Sequence, residues 1–400
     1  MQRSYDSIVV GGGVTGLSIA RALKLNNPST SVLVIEKEAI VAMHASGRNS
    51  GVLHSAINYP AGSLKARLCL DGHRKMREFC EQEKIAVNAC GKIIVPATER
   101  EDQALESLLQ QAATNQVQAS IIDQPELQER EPAVVSFSGR ALRVENSAVV
   151  HPGEVMMALH DELLRLGVEF KFSELVVDIR LDRKILATNK DAYNFGTLYN
   201  ASGMYADRLA HLCGVGEDYR MLAIRGRYYE LAEKSNIDIR GLVYTVADPE
   251  LAFSDVHFTP RGDGHVLLGP SAVVALGREH YLGMRGIELN ELRAGALYLS
   301  GLLFSTESKL KSFALKQMKQ SGKQRLYQSA SMIVPALKKE YLVATRKIGL
   351  RAQLLDTQTN QMEMDFKVLQ AQNSVHVLNA PSPGFTSALS FGEYVVESNQ

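Results

Sequence analysis

Apolar residues open the chain as a short run over 7–10, after the polar pair Tyr5 and Asp6, and return as an unbroken run over 32–35. Between them, 17–25 reads as a helix that stops at the polar turn Asn26, Asn27, Pro28 and Ser29. Brief apolar runs bounded by turn residues are the mark of strands buried on both faces, so this segment predicts a β-α-β unit with parallel strands. An amphipathic helix is expected over 101–115, and another over 154–166, where Val155, Ala158, Leu159, Leu163 and Leu166 share one stripe. Short strands at 169–172 and 176–179 follow. From 220 to about 300 the pattern becomes short strands separated by turns such as Arg261, Gly262, Asp263 and Gly264, which predicts an antiparallel sheet. Helical spacing resumes over 297–336, and the chain ends with a strand from 375, a Pro/Gly turn over 380–384 and a helix over 385–396.

The turn after the first strand sharpens this picture. Residues Gly11, Gly12, Gly13, Val14, Thr15 and Gly16 satisfy G-x-G-x-x-G, and the second strand ends at Glu36, where the fingerprint of a dinucleotide site places an acid for the ribose hydroxyls. Gly11 makes the tight turn, Gly13 lets backbone approach a pyrophosphate, Gly16 lets the helix pack on the strand, and the helix start with Val14 and Thr15 faces the phosphates. An acid at 36 also disfavours a 2′-phosphate, hence NADP. The fingerprint alone does not separate FAD from NAD. Two later segments favour FAD: the strand end running into Ala201, Ser202 and Gly203, suited to a second crossing over the dinucleotide, and the C-terminal helix, whose N–H groups would face the negative end of a reduced flavin. An ordinary strand-turn-helix closing the sheet is the plain alternative for that C-terminal segment.

Composition narrows the classes. In 400 residues, Lys plus Arg and Asp plus Glu both number 44, so no net field favours nucleic acid, and any anionic ligand must be caught locally. Hydrophobic residues at 45% with no low-complexity tract predict a folded chain of two lobes. Cys69, Cys80, Cys90 and Cys213 show no metal-ligand spacing and are expected as reduced thiols, with no metal site. No signal-like start and no spanning apolar stretch are present, so a cytoplasmic protein is expected, with peripheral contact to the inner membrane left open.

The stretch GRNSGVLHSAINYPAGSLKARLC over 47–69 resembles a motif of the D-amino-acid oxidase superfamily, and within it of the L-2-hydroxyglutarate dehydrogenase/oxidase family. Similar matches follow in order at Arg225 to Tyr229, Val256 to Thr259, Gly264 to Pro270, Gly349 to Gln353 and Asn379 to Pro383, so the resemblance runs nearly end to end. It implies FAD, a 2-hydroxy acid as substrate and reoxidation by O2 or a quinone. It also implies a cofactor lined by Lys37, Ser46, Arg48, Asn49, Ser50, Gly51, Val176 and Arg351 and by Pro383, Gly384, Phe385 and Thr386. The chain departs from the family pattern at Arg227, where the family has an acid, at His151 and Pro152, and at Ser55, Ala56 and Asn58.

Oxidising a 2-hydroxy acid needs a base for the hydroxyl proton and cations for the carboxylates. His54, three residues past Gly51, is the leading base; a structural histidine in a polar loop is its alternative. His257 shares one face of its strand with Asp255 and Thr259, as acid/base or carboxylate contact, or simply on an exposed polar face. Arg351 is the leading carboxylate clamp, because its segment resembles a superfamily strand that ends over the flavin, and bidentate guanidinium geometry suits a carboxylate better than lysine does. Tyr229, Tyr59 and Arg225 are secondary candidates, with only one of Tyr228 and Tyr229 able to enter the pocket. The expected fold is α/β with an α+β second lobe. A Rossmann-like FAD-binding domain of 1–75, 145–215 and 335–400 is interleaved with an antiparallel-sheet substrate domain of 76–144 and 216–334. An amino-acid or amine oxidase on the same fold, and a non-catalytic flavoprotein, are the rival functions.

Overall fold

The computed structural model describes residues 3–247, 256–271, 273–303 and 322–399. Its first sheet has eight strands, and the parallel centre runs Ala192–Asn200, Arg3–Val10, Val32–Ile35, Glu169–Lys171, with Ser374–Asn379 also parallel to Ala192–Asn200. All four residues of Val32–Ile35 are buried, as expected of a strand covered on both faces. The first strand begins at Arg3, earlier than the apolar run suggests: Tyr5 is buried, and Asp6 accepts from the Ser31 N–H (2.8 Å) and hydroxyl (2.7 Å), which keeps this polar stretch in register.

Helix Val14–Asn26 covers this sheet beside Gly384–Glu397, and Leu17, Ile19, Val34, Leu389 and Phe391 meet in one buried cluster. The expected helix at 154–166 spans Pro152–Arg165: proline stands in its first turn, and His151 caps it by accepting from the Glu154 N–H (3.3 Å). The helix expected at 101–115 spans Glu99–Thr114, capped by Thr98. Helices Leu289–Leu303 and Lys323–Ile333 occupy both ends of the helical stretch expected over 297–336; positions 304–321 lie outside the described residues.

The second sheet has ten strands, ordered Gln361–Met362, Leu342–Asp356, Tyr219–Leu231, Val266–Gly269, His257–Pro260, Leu242–Thr245, Lys92–Val95, Arg140–Val144, Ala119–Asp123, with Val273–Val274 on Tyr219–Leu231. It is mixed rather than purely antiparallel, because Leu242–Thr245 and Lys92–Val95 run parallel. The long strand Leu342–Asp356, which the sequence pattern groups with the nucleotide half, pairs along Tyr219–Leu231 in this second sheet. A small antiparallel sheet pairs Val52–Leu53 and Val87–Asn88 with Ala148–Val150. All four cysteines are free thiols.

Candidate active site

Register brings the carboxyl ends of the central strands to one edge, with Val10 opposite both Ile35 and Asn200, and Asn200 opposite His376. Ligands of open parallel sheets bind outside this edge. The turn Gly11 to Gly13 lies there, and Gly11 has φ +115° with the Ala201 carbonyl oxygen 2.5 Å from where a Cβ would stand. Ala201 donates its N–H to the Val10 carbonyl (2.9 Å), so Ala201, Ser202 and Gly203 do cross over the glycine turn. Helix Val14–Asn26 has no side-chain cap on Gly13; the Val14 N–H donates to the Ser46 hydroxyl (2.9 Å).

Glu36 closes the second strand, and its carboxylate accepts from the Gly12 N–H (2.6 Å) and the Glu38 N–H (2.9 Å). The Glu174 N–H donates to the Glu36 carbonyl (3.0 Å), which sets Val176 near the same end. The Lys37 ammonium is turned away, paired with Glu38 and with Glu279 (2.6 Å) and 3.0 Å from His44 Nε2. Glu38, His44 and Glu279 each place a ligand atom within 4.8 Å of the others, but Lys37 already supplies the cation.

After the glycine turn, Asn49 Oδ1 accepts from the Gly51 N–H (2.8 Å) while its amide donates to the Ser46 carbonyl (2.7 Å), folding the loop on itself. Gly51 has φ +79°, and a Cβ there would collide with the Val150 carbonyl oxygen. Arg48 turns its guanidinium over the Tyr281 ring (4.3 Å), leaving its carbonyl oxygen toward Gly349. Helix Gly384–Glu397 starts from Pro383 with no side-chain cap, a second helix N-terminus after a central strand of the first sheet. Two side chains expected on the cofactor serve the fold instead. Thr386 donates to the Val52 carbonyl (3.2 Å) and accepts from the His54 N–H (3.1 Å), and Phe385 packs against the core.

His54 follows this loop. Its carbonyl accepts from His73 Nδ1 (3.1 Å) and from the Cys69 thiol (3.5 Å), both on helix Leu64–Gln82. Burial pushes the His54 imidazole down to about 3, with Lys92, His257, His73 and Lys65 adding to the effect in that order. His257 is buried in a strand with no exposed face, and its ring stacks on Tyr244 at 4.4 Å and meets Tyr228 edge-on at 6.5 Å. Thr259 is fully buried; Asp255, expected beside it, lies outside the described residues. The Lys92 ammonium stands 5.2 Å from the Tyr244 ring centre, and Lys65 donates to the Met364 carbonyl (2.7 Å) with its ammonium 5.1 Å from the Tyr59 ring. Burial, then the charge of Arg351, lowers Lys65 to about 8.

The fold brings His54, His257, Tyr59 and Arg351, named from the sequence, into the neighbourhood of Lys65, Lys92 and Tyr244, which sequence reasoning did not single out. Tyr229 is corrected: it enters the apolar cluster of Phe258, Leu268 and Ile333, while Tyr228 hydrogen-bonds Ser50 and faces His257. Neighbours in a strand face opposite ways, so only one of the two faces His257; the irregularity between Arg227 and Tyr229 lies in the partner strand, between Ala344 and Ile348. Arg225 is opposite Leu350 and Arg351 opposite Ile224, so Arg225 points to the other face of the sheet from Arg351. Arg227 shares that face with Arg225, whose guanidinium burial and this like charge together push down. His151, a departure from the family pattern, is an exposed helix cap.

Two helix N-termini whose N-cap residues offer no side-chain cap, and a carboxylate at the second strand's end, fit a dinucleotide, because helix N–H groups and dipoles suit phosphates and an acid there suits a ribose. Residues 6–398 match the family model described as DAO, FAD dependent oxidoreductase. The chain is 31% identical to an L-2-hydroxyglutarate dehydrogenase of Indibacter alkaliphilus, over 98% of each chain. It is 32% identical to an L-2-hydroxyglutarate dehydrogenase of Escherichia coli K12, over 99% of this chain and 93% of that one. The fold is similar to that of the FAD-bound L-alpha-glycerophosphate oxidase of Mycoplasma pneumoniae, with TM-score 0.77, 22% identity and coverage of 99% and 94%. A matched family model over nearly the whole chain, a glycine turn that fits the cofactor and full-length relatives agree: this chain belongs to the DAO family of FAD-dependent oxidoreductases.

Proposed function

We propose that the protein oxidises L-2-hydroxyglutarate to 2-oxoglutarate at the cleft between the two sheets. The observation that carries this reading is His54, on the loop after Gly51, standing within electrostatic reach of Lys65 and Lys92, with Lys65 in turn coupled to Arg351. FAD, when bound, accepts the hydride from C2. His54, neutral in the free protein, takes the hydroxyl proton. Arg351 and Lys65 hold the carboxylate next to C2, and Tyr228 and His257 close the site on its sheet side. Burial is the larger cause of the His54 depression, and carboxylates entering beside these cations offset the smaller part that Lys92 and Lys65 add, so substrate strengthens the base to that extent.

The relatives named as dehydrogenases support the substrate, and the same reading takes O2 or a quinone as the final acceptor. Among the described residues no helix is long and apolar enough to cross a membrane; the same reading places the enzyme in the cytoplasm, with a membrane quinone met peripherally. The test is anaerobic addition of the L- and D-acids while following the flavin band near ~450 nm. Bleaching by the L-acid alone supports the reading. Bleaching by an amino acid and not by either hydroxy acid sinks it and selects amine oxidation.

A further inference from the structure

Segment 276–288 leaves the second sheet just after Val273–Val274 and runs to the start of helix Leu289–Leu303. The Glu288 N–H donates to the Leu276 carbonyl (2.9 Å), so the two ends meet, as in a compact surface loop packed by its own side chains. Inside it the buried His280 accepts from the Leu276 N–H at Nδ1 (3.2 Å) and donates from Nε2 to the Gly283 carbonyl (2.8 Å). The loop is thereby held in one shape.

From that shape three side chains reach the edge of the first sheet. Glu279 Oε1 accepts from both the Lys37 ammonium (2.6 Å) and the Tyr205 hydroxyl (2.7 Å). Tyr281 places its hydroxyl 2.6 Å from His44 Nδ1 and its ring against the Arg48 guanidinium. Arg278, buried, pairs through both terminal nitrogens with the Asp207 carboxylate (2.7 Å for Nη2) and donates to the Met204 carbonyl (2.6 Å).

These partners lie on the two flanks of the glycine turn. Lys37 and His44 belong to the segment that begins at Glu36, and it is tied to the turn where the Ala42 N–H donates to the Gly12 carbonyl (3.2 Å) and the Val14 N–H to the Ser46 hydroxyl. Met204, Tyr205 and Asp207 follow the crossing of Ala201, Ser202 and Gly203 on the other flank, where the Ala201 carbonyl lies against Gly11. One carboxylate oxygen of Glu279 therefore holds a residue from each flank. A pyrophosphate is seated at such a turn, and it leaves faster if the flanks are free to part. We infer that loop 276–288 is a clasp on the FAD site, in which Glu279 and Tyr281 are positioning residues that slow release of the cofactor through Lys37, Tyr205 and His44. The inference goes beyond the substrate reading and stands whichever acid or amine is oxidised.

The test follows FAD release from the holoenzyme as the rise of free-flavin fluorescence after dilution, with far-UV circular dichroism recorded in parallel. Glu279→Gln keeps the shape of the side chain and an acceptor for Tyr205 but removes the charge facing Lys37, and should release FAD about tenfold faster than the wild type, as a lost hydrogen bond between charged groups would give. Tyr281→Phe loses one hydroxyl and should release it about threefold faster. In both, the dichroism should hold while FAD leaves, and kcat at saturating FAD should be unchanged. Glu83→Gln, which breaks a pair with Arg165 between two helix ends, should release FAD at the wild-type rate. Release at the wild-type rate in Glu279→Gln and Tyr281→Phe overturns the clasp. So does release that only keeps pace with the loss of dichroism, or an equal acceleration in Glu83→Gln, since either would mean a general loosening of the fold. Should Glu279→Gln fail to fold, Tyr281→Phe decides alone.

Discussion

His73 Nδ1 lies 3.1 Å from the carbonyl oxygen of His54, and on the other side of that residue its N–H is held by Thr386 at 3.1 Å. The backbone of His54 is therefore gripped at both polar groups, from helix Leu64–Gln82 and from the start of Gly384–Glu397. Burial pushes His73 down, so it is a neutral donor at physiological pH. His73 is a positioning residue. His73→Leu removes a hydrogen bond to a buried carbonyl, a change of about 1–3 kcal/mol, and should lower kcat about tenfold or more with KM little changed. His73→Gln, which keeps a donor, should recover part of the loss. Equal falls in FAD content for both variants would show a merely structural role.

The depressed His54 has a direct consequence for pH dependence. A base works only when deprotonated, and in the free protein His54 takes up a proton only as pH falls toward about 3. The profile of kcat/KM, which reports the free enzyme, should show no acidic limb between about pH 5 and 7, where an ordinary histidine would produce one. In kcat the limb should move upward, since bound carboxylates offset Lys92 and Lys65. An acidic limb near 6.5 in kcat/KM that vanishes in His54→Gln would contradict the burial argument while keeping His54 as the base.

At the alkaline side the sign reverses. Lys65 is lowered to about 8, so its charge is present at neutral pH and is lost as pH rises through that value. KM should then climb above about pH 8 with kcat less affected, because a cation for the substrate disappears. Lys65→Arg, which stays charged, should push this limb to higher pH. A KM that stays flat to pH 10 in the wild type would exclude Lys65 from carboxylate binding.

The nucleotide half is legible in sequence because its signals are local: Gly11, Gly13, Gly16 and Glu36 lie within one β-α-β unit, and turn, helix start and strand end follow from their spacing. The substrate half is assembled by pairing of distant strands. Lys92 meets Tyr244 only because Lys92–Val95 runs parallel to Leu242–Thr245, and His257 joins them through the next strand. A lysine opening an otherwise apolar run at 92–95 is a visible signal, yet it does not say what it faces. Lys65 stood inside the motif over 47–69, where the helix start rather than the ammonium draws notice. Tyr228 and Tyr229 fail for a different reason, since alternation puts them on opposite faces but does not say which face looks toward His257.

Their opposite faces make the two tyrosines separable by experiment. Tyr228→Phe removes a hydroxyl bonded to Ser50 on the flavin-facing loop, and should reduce kcat/KM severalfold with the thermal midpoint nearly unchanged. Tyr229→Ala empties a place in the cluster of Phe258 and Leu268 and should cost about 3–5 kcal/mol of stability. The opposite pattern, with Tyr229 variants stable and inactive, would mean that the strand presents its other face to the cleft.

Arg351 provides the most direct check on where substrate binds. It sits on the strand Leu342–Asp356 opposite Ile224, on the same face as Gly349, which lies against the Arg48 carbonyl, and its charge reaches Lys65. On the proposed reading, the carboxylate next to the reacting carbon is held there by Arg351 and Lys65. Arg351→Ala leaves the glycine turn, Glu36 and both helix N-termini intact, so FAD content should hold. Losing one partner of a buried charge pair costs about 2–5 kcal/mol, so KM should rise by roughly two orders of magnitude, and Arg351→Lys should restore only part of it because an ammonium cannot bind a carboxylate bidentately. If KM is unchanged and FAD is lost instead, Arg351 belongs to the cofactor rather than to the substrate.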